Sequence, residues 1–136
     1  MKKKTKKQPL LVLENDKASL QLSEIDYLGG GAYSCRLLID SGGFACDRPF
    51  GFDNDEYFVS KARDVIQAEC SEADLMDLQA DSYIRLKPFD TTSVLVSGFI
   101  VDESNLTQSM EFAFCVSKDS ASQFVADFEQ MVRRNI

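Results

Sequence analysis

Residues 108–117 read Gln-Ser-Met-Glu-Phe-Ala-Phe-Cys-Val-Ser, and this stretch decides the fold. Met110, Phe112, Phe114 and Val116 fall on one face of an extended chain, with Glu111, Ala113 and Cys115 on the other. Strict alternation of this kind marks a strand with one buried face. The pattern then changes period. Phe124, Val125, Phe128, Met131 and Val132 recur at helical spacing, so a helix follows. Ser117 or Asp119 can cap its start, and Arg133 and Arg134 suit the negative end of its dipole.

Upstream of this unit lie more strands. Ser93–Val101 is apolar on both faces, through Val94, Val96 and Ile100 against Leu95, Phe99 and Val101, which predicts a central strand covered on both sides. Ser82–Phe89 alternates, with Ile84 and Leu86 opposite Arg85 and Lys87. Residues 71–80 fit a helix by composition or a short edge strand around Ala73–Leu78, and the strands that follow favour the strand. Before them, Phe58, Ala62, Val65 and Ile66 form one helical stripe ending near Glu69. Asp53 with Glu56 three residues on has the spacing of a capping box.

The first half of the chain reads as strands. Leu10–Leu13 and Ala18–Ile25, separated by Asn15-Asp16, make an opening hairpin. Gly29-Gly30-Gly31 reads as a flexible loop that matches no phosphate-binding pattern. Tyr33–Ile39 is a third strand and Phe44–Phe50 a fourth, ended near Pro49, with Phe44, Phe50 and Phe52 directed to the core. The order strands, helix, strands, helix predicts an α+β domain: an antiparallel sheet of about six to eight strands with two helices packed on it. The two halves share this layout without sequence identity that would make them a repeat. Residues 1–8 read as a disordered lysine-rich arm, with residues 9–136 as a single domain.

Charge is the second strong signal. The chain has 22 acidic and 15 basic side chains and no histidine. Five of the bases are Lys2, Lys3, Lys4, Lys6 and Lys7, with no acid among them, so residues 8–136 carry 10 bases against 22 acids, a net of −12. Such a surface attracts basic proteins and repels nucleic acid. Without histidine, Ser–His and Cys–His nucleophile pairs and the HExxH zinc motif are impossible. Cys35, Cys46, Cys70 and Cys115 form no CxxC pair and read as free thiols. No metal or other cofactor is expected. No apolar run reaches the ~20 residues of a membrane helix, and the expectation is a cytoplasmic protein without a membrane partner.

Two carboxylate groups carry candidate chemistry. Asp53, Asp55 and Glu56 could hold a divalent cation, or could serve only to start a helix. Glu69, Glu72, Asp74, Asp77 and Asp81 run without an intervening base, and Asp102 and Glu103 add charge on a later loop. These seven are the candidate partner-binding residues. They form either a solvated face or a docking surface for a basic protein, for which Tyr27, Tyr33, Tyr57 and Tyr83 would be aromatic anchors.

The segment Phe44–Asp53, with Phe50-Gly51-Phe52-Asp53 leading into a short helix, resembles a WapI-type group of small bacterial proteins. Ser97-Gly98-Phe99 and Phe112-Ala113-Phe114 are the other matching pieces, and the likeness spans about residues 44–132. Where that group would have a glycine-acid-alanine strand start this chain has Cys70-Ser71-Glu72-Ala73. Where it would have an acid-glutamine-threonine lead-in to the last helix, this chain has Lys118-Asp119-Ser120. The resemblance implies an immunity protein that neutralises a basic toxin by occlusion, and it supplies no catalytic residue. Two other functions fit the composition: an acidic secretion-type chaperone, which would open with a helix and dimerise, and a carboxylate-based metal-dependent enzyme.

Overall fold

The computed structural model describes residues 10–53, 56–78, 81–102 and 108–135. Leu11 and Leu13 point inward from β1 (Leu11–Glu14), which pairs antiparallel with β2 (Ala18–Gly29). Asn15 closes the hairpin. Its side-chain oxygen accepts from the Lys17 and Ala18 amides at 2.7 and 2.8 Å. β2 runs past its expected end because a bulge at Glu24, at φ 49°, resets its alternation. Leu20 and Leu22 face the core before the bulge and Ile25 after it.

Gly30 and Gly31 are a tight turn rather than a flexible loop. Both sit at positive φ, 63° and 85°, as the two centres of a type I′ turn must. They join β2 to β3 (Ala32–Ser41), and Gly42-Gly43 does the same between β3 and β4 (Phe44–Asp53). β4 does not stop at Pro49, which lies opposite Arg36 in mid-strand. It is tolerated because β4 is the edge of the sheet β1-β2-β3-β4. Gly51, two residues on, turns its amide and carbonyl away from β3, to Asp77 and Leu78. Pro49 has the same orientation, so its missing N–H removes no ladder bond. Phe44 is a correction. It shares the parity of Phe50 and Phe52, but lies at the hairpin tip beyond the core and is 72% exposed.

Asp53 ends β4 opposite Ala32, and α1 (Glu56–Ile66) begins three residues later. The expected cap at Asp53 is therefore displaced; residues 54 and 55 and the Glu56 side chain lie outside the described residues. At the other end the Glu69 amide donates to Asp64 and the Ala68 amide to Val65, with Ala68 at φ 61°. This is a Schellman cap with alanine where glycine is favoured. A Cβ in the left-handed region costs about 1 kcal/mol. Ala68→Gly is therefore expected to raise stability by about that much in urea unfolding. An unchanged or lower midpoint would show that the cap carries no strain.

The second sheet runs β5 (Ala73–Met76), β6 (Tyr83–Pro88), β7 (Ser93–Val101) and β8 (Ser109–Ser117), all antiparallel. The ambiguous stretch is thus a short edge strand. Ile84, Leu86, Val94, Val96, Phe112, Phe114 and Val116 fill the inner face. β7 lies between two strands but is not covered on both faces: Leu95, Phe99 and Val101 are half-buried. They shelter beside cross-strand neighbours, as Phe99 does against Tyr83 at 6.5 Å. α2 (Lys118–Arg134) is capped by Ser117, whose hydroxyl accepts from the Ser120 amide at 3.0 Å.

The α+β class and the two helices are as expected; among the described residues there are eight strands, within the expected six to eight, but they divide into two sheets of four rather than forming one. Each half is a four-stranded meander followed by a helix. α1 packs on β5, β6 and β7 of the other half, and α2 on β1, β7 and β8. One core results. Phe128 of α2 is its hub, 5.4 Å from Phe52 of β4 and 5.2 Å from Phe58 of α1. On the surface Arg63 of α1 donates to Glu129 of α2 at 3.0 Å, which holds the Glu129 carboxyl below its usual range. The sheets also meet at two seams. Leu78 donates its amide to the Gly51 carbonyl beside β4, and the Asn15 side chain donates to Cys115 of β8 at 2.7 Å. Among the described residues no helix is long and apolar enough to cross a membrane.

Candidate functional site

The seven candidate acids do not form one patch. Asp74 of β5 lies directly across from Arg85 of β6. The guanidinium grips it with two bonds, Nε to Oδ1 at 2.7 Å and Nη2 to Oδ2 at 2.9 Å. Glu72 brings an oxygen within 2.6 Å of the same Nε, although the N–H itself is spent on Asp74. The guanidinium rests on the Tyr83 ring, 4.7 Å from its centre. Arg85 is held still more firmly in its charged form by Asp74. One guanidinium thus offsets one of these two charges, and the pair with Arg85 keeps a net charge of −1.

Asp102 forms an ion pair with Arg48 of β4 at 2.9 Å. Asp77 accepts from the Gly51 amide of β4 at 3.1 Å. Glu69 is exposed in the cap of α1, and Asp81 is exposed just before β6. Glu103 lies outside the described residues.

The tyrosines separate as well. Tyr33 is only 1% exposed, so it is core and no surface anchor. It stacks on Phe52 at 5.2 Å, and burial pushes its hydroxyl pKa up. Tyr27 is 40% exposed, packs against Tyr33 at 5.0 Å, and accepts from the Gly31 amide with its hydroxyl. Tyr57 is exposed on the first turn of α1. Tyr83 is half-buried beneath Arg85.

A different site emerges at the seam between β4 and the end of β5. A cleft of about 140 Å³ opens there, with Leu28 and Leu78 at its lips and Cys35, Phe50 and Val101 among its walls. Both leucines are exposed, at 64% and 47%. Arg48 and Asp77 line the same cleft. Asp26, Ser34 and Gly51 form one cross-strand row beside it, and Asp53 lies two residues beyond Gly51. Asp26 and Asp53 are exposed. Apolar lips thus meet Asp77 and Arg48 in the cleft, with Asp26 and Asp53 on the adjoining row. Sequence reasoning missed this site because Leu28 and Leu78 are 50 residues apart and no local pattern links them. The one available signal was a leucine set directly before three glycines, where a tight turn leaves little to bury it.

Two of the thiols, Cys35 and Cys46, are poorly disposed for chemistry. Burial, with Asp77 nearby, pushes the Cys35 pKa up to about 12, and burial also raises that of Cys46. All four cysteines are free. Among the described residues no group of three or more cysteine, aspartate or glutamate side chains converges to hold a metal. Of the proposed carboxylate triad only the Asp53 side chain is described; Asp55 and the Glu56 side chain are not. Comparison with protein-family models, characterised proteins and solved structures finds no match to this chain.

Proposed function

We propose that this protein is a non-enzymatic binding module of the immunity or inhibitor type, which neutralises a basic protein partner by occluding it. The observation that carries the reading is the rim at the seam of the two sheets. There exposed Leu28 and Leu78 line a cleft with Asp77, and exposed Tyr27, Asp26 and Asp53 hold neighbouring positions on β2 and β4. Apolar anchors bordered by carboxylates have the anatomy of a protein interface, where the anchors supply affinity and the charges supply rate and selectivity. The net charge of −12 over residues 8–136 supports a basic partner, and the resemblance to WapI-type proteins supports the immunity role. The acids beside Arg85 contribute less, because the guanidinium offsets part of their field.

Affinity capture from the source cells, at low and at moderate salt, tests this. The expected result is one stoichiometric basic protein whose retention weakens with salt but is not abolished. A bait that recovers no specific protein contradicts the reading. Recovery of a set of secreted effectors by a dimeric bait would support the chaperone alternative, although the described chain opens with a strand rather than a helix. The metal-dependent alternative requires heat of binding with Mg²⁺, Mn²⁺ or Ca²⁺ at millimolar concentration.

A further inference from the structure

We propose that the cleft between Leu28 and Leu78 seats a single aromatic or branched aliphatic side chain of the basic partner, with that partner's adjacent ammonium or guanidinium group resting on Asp77. This rests on the binding-module reading and assigns the anchor position within it. Three observations carry it.

The first is size. The cleft holds about 140 Å³. A cavity of about 150 Å³ accepts benzene, so the space suits one ring or one leucine-sized group and nothing longer. The second is pre-organisation. Cys35 and Phe50, opposite each other on β3 and β4, are 6% and 3% exposed and form a packed floor. The Leu78 lip is pinned by its amide to the Gly51 carbonyl at 2.9 Å. An anchor would therefore enter a formed site with little ordering cost.

The third is charge. Arg48 lines the cleft but is matched by Asp102. Asp77 is fixed in place by the Gly51 amide, and Asp26 and Asp53 lie along the adjoining row. With Arg48 engaged by Asp102, Asp77 is the carboxylate that lines the cleft. The field of Asp77 reaches the floor, since it adds to the upward shift of the Cys35 thiol. An apolar group carrying a cation fits this setting, and one carrying an anion does not.

The test uses the full chain and three small probes: phenethylamine, benzyl alcohol and phenylacetate. Each is titrated while backbone amide shifts are followed by NMR. The expected result is saturable shifts at Ser34, Gly51 and Leu78, with affinity falling from the cation to the neutral probe to the anion. Leu28→Ser with Leu78→Ser removes exposed lips without touching the core and should weaken phenethylamine about fivefold. Asp77→Asn keeps a side-chain oxygen for the Gly51 amide but removes the charge, so phenethylamine should fall to the level of benzyl alcohol. Absence of saturable shifts at these amides, a preference for phenylacetate, or indifference to both variants would overturn the inference. A captured basic partner that binds the Leu28→Ser/Leu78→Ser chain unchanged also overturns it, while leaving the binding-module reading standing. A chain that takes up phenethylamine but captures no basic partner removes that reading instead, and the partner's side chain with it.

Discussion

Phe128→Ala is expected to cost about 4 kcal/mol of folding stability, the largest effect of any single truncation in the core. Phe128 is fully buried. Its ring touches Phe52 of the first sheet, Phe58 of α1 and Phe124 of its own helix, at 5.4, 5.2 and 6.4 Å. Truncation loses the transfer energy of a ring and leaves a cavity that three rigid neighbours cannot close. Because the site joins both halves of the chain, the loss should appear as one cooperative shift in urea unfolding, whatever element is probed. Total stabilities of about 5–15 kcal/mol make such a loss a large fraction of the whole. Phe99, half-buried on the outer face of β7, is the comparison: Phe99→Ala should cost about 1 kcal/mol. Equal costs at the two positions, or unfolding of one sheet without the other, would show that Phe128 is not the hub.

Gly98→Ala is expected to cost about 3 kcal/mol. A Cβ at this position would clash with the Tyr83 carbonyl oxygen and lie 2.7 Å from the Phe112 ring. Phe112 sits directly across from Gly98 on β8, and its ring occupies the space that a side chain would need. A methyl group must therefore push apart β6 and β7 or displace the ring. The two causes can be separated. Gly98→Ala in a Phe112→Leu background relieves the ring contact and leaves the contact with the backbone oxygen, so most of the penalty should persist. A cost of a few tenths of a kcal/mol in thermal or urea unfolding would contradict the close approach. Gly51 offers a contrast, since a Cβ there meets nothing nearer than 3.4 Å.

Much of the fold is legible in the chain because most strands bury one face. Alternation in residues 109–117, the stripe of α2 and the Ser117 cap follow directly from that asymmetry. The features that escape local reading are set by neighbours distant in sequence. The Glu24 bulge shifts parity midway along β2, so Ile25 rather than Glu24 faces inward. Whether Pro49 ends a strand depends on whether that strand is an edge, a property of the whole sheet. Phe44 has the right parity for the core but lies beyond its end. The division into two sheets depends on the crossover through α1, which periodicity does not encode.

The site was less legible than the fold. A run of acids without an intervening base suggested a single anionic surface from Glu69 to Asp81. Pairing across β5 and β6 places Arg85 against Asp74, eleven residues away, and the run loses part of its field there. The cleft at Leu28 and Leu78 depends on contact between β4 and the end of β5, which no pattern within either segment announces.

The central claim is that the apolar and acidic rim at the seam binds a basic protein. The most direct measurement compares capture by the natural chain with capture by two variants in the same lysate. One carries Tyr27→Ala, Leu28→Ser and Asp77→Asn at the rim, and the other carries Glu72→Gln beside Arg85. The rim variant should lose the basic partner by at least about tenfold, since two anchors and a charge are removed together, while Glu72→Gln should retain it. A partner held equally by the rim variant, or lost on Glu72→Gln alone, would place the binding surface elsewhere and contradict the account.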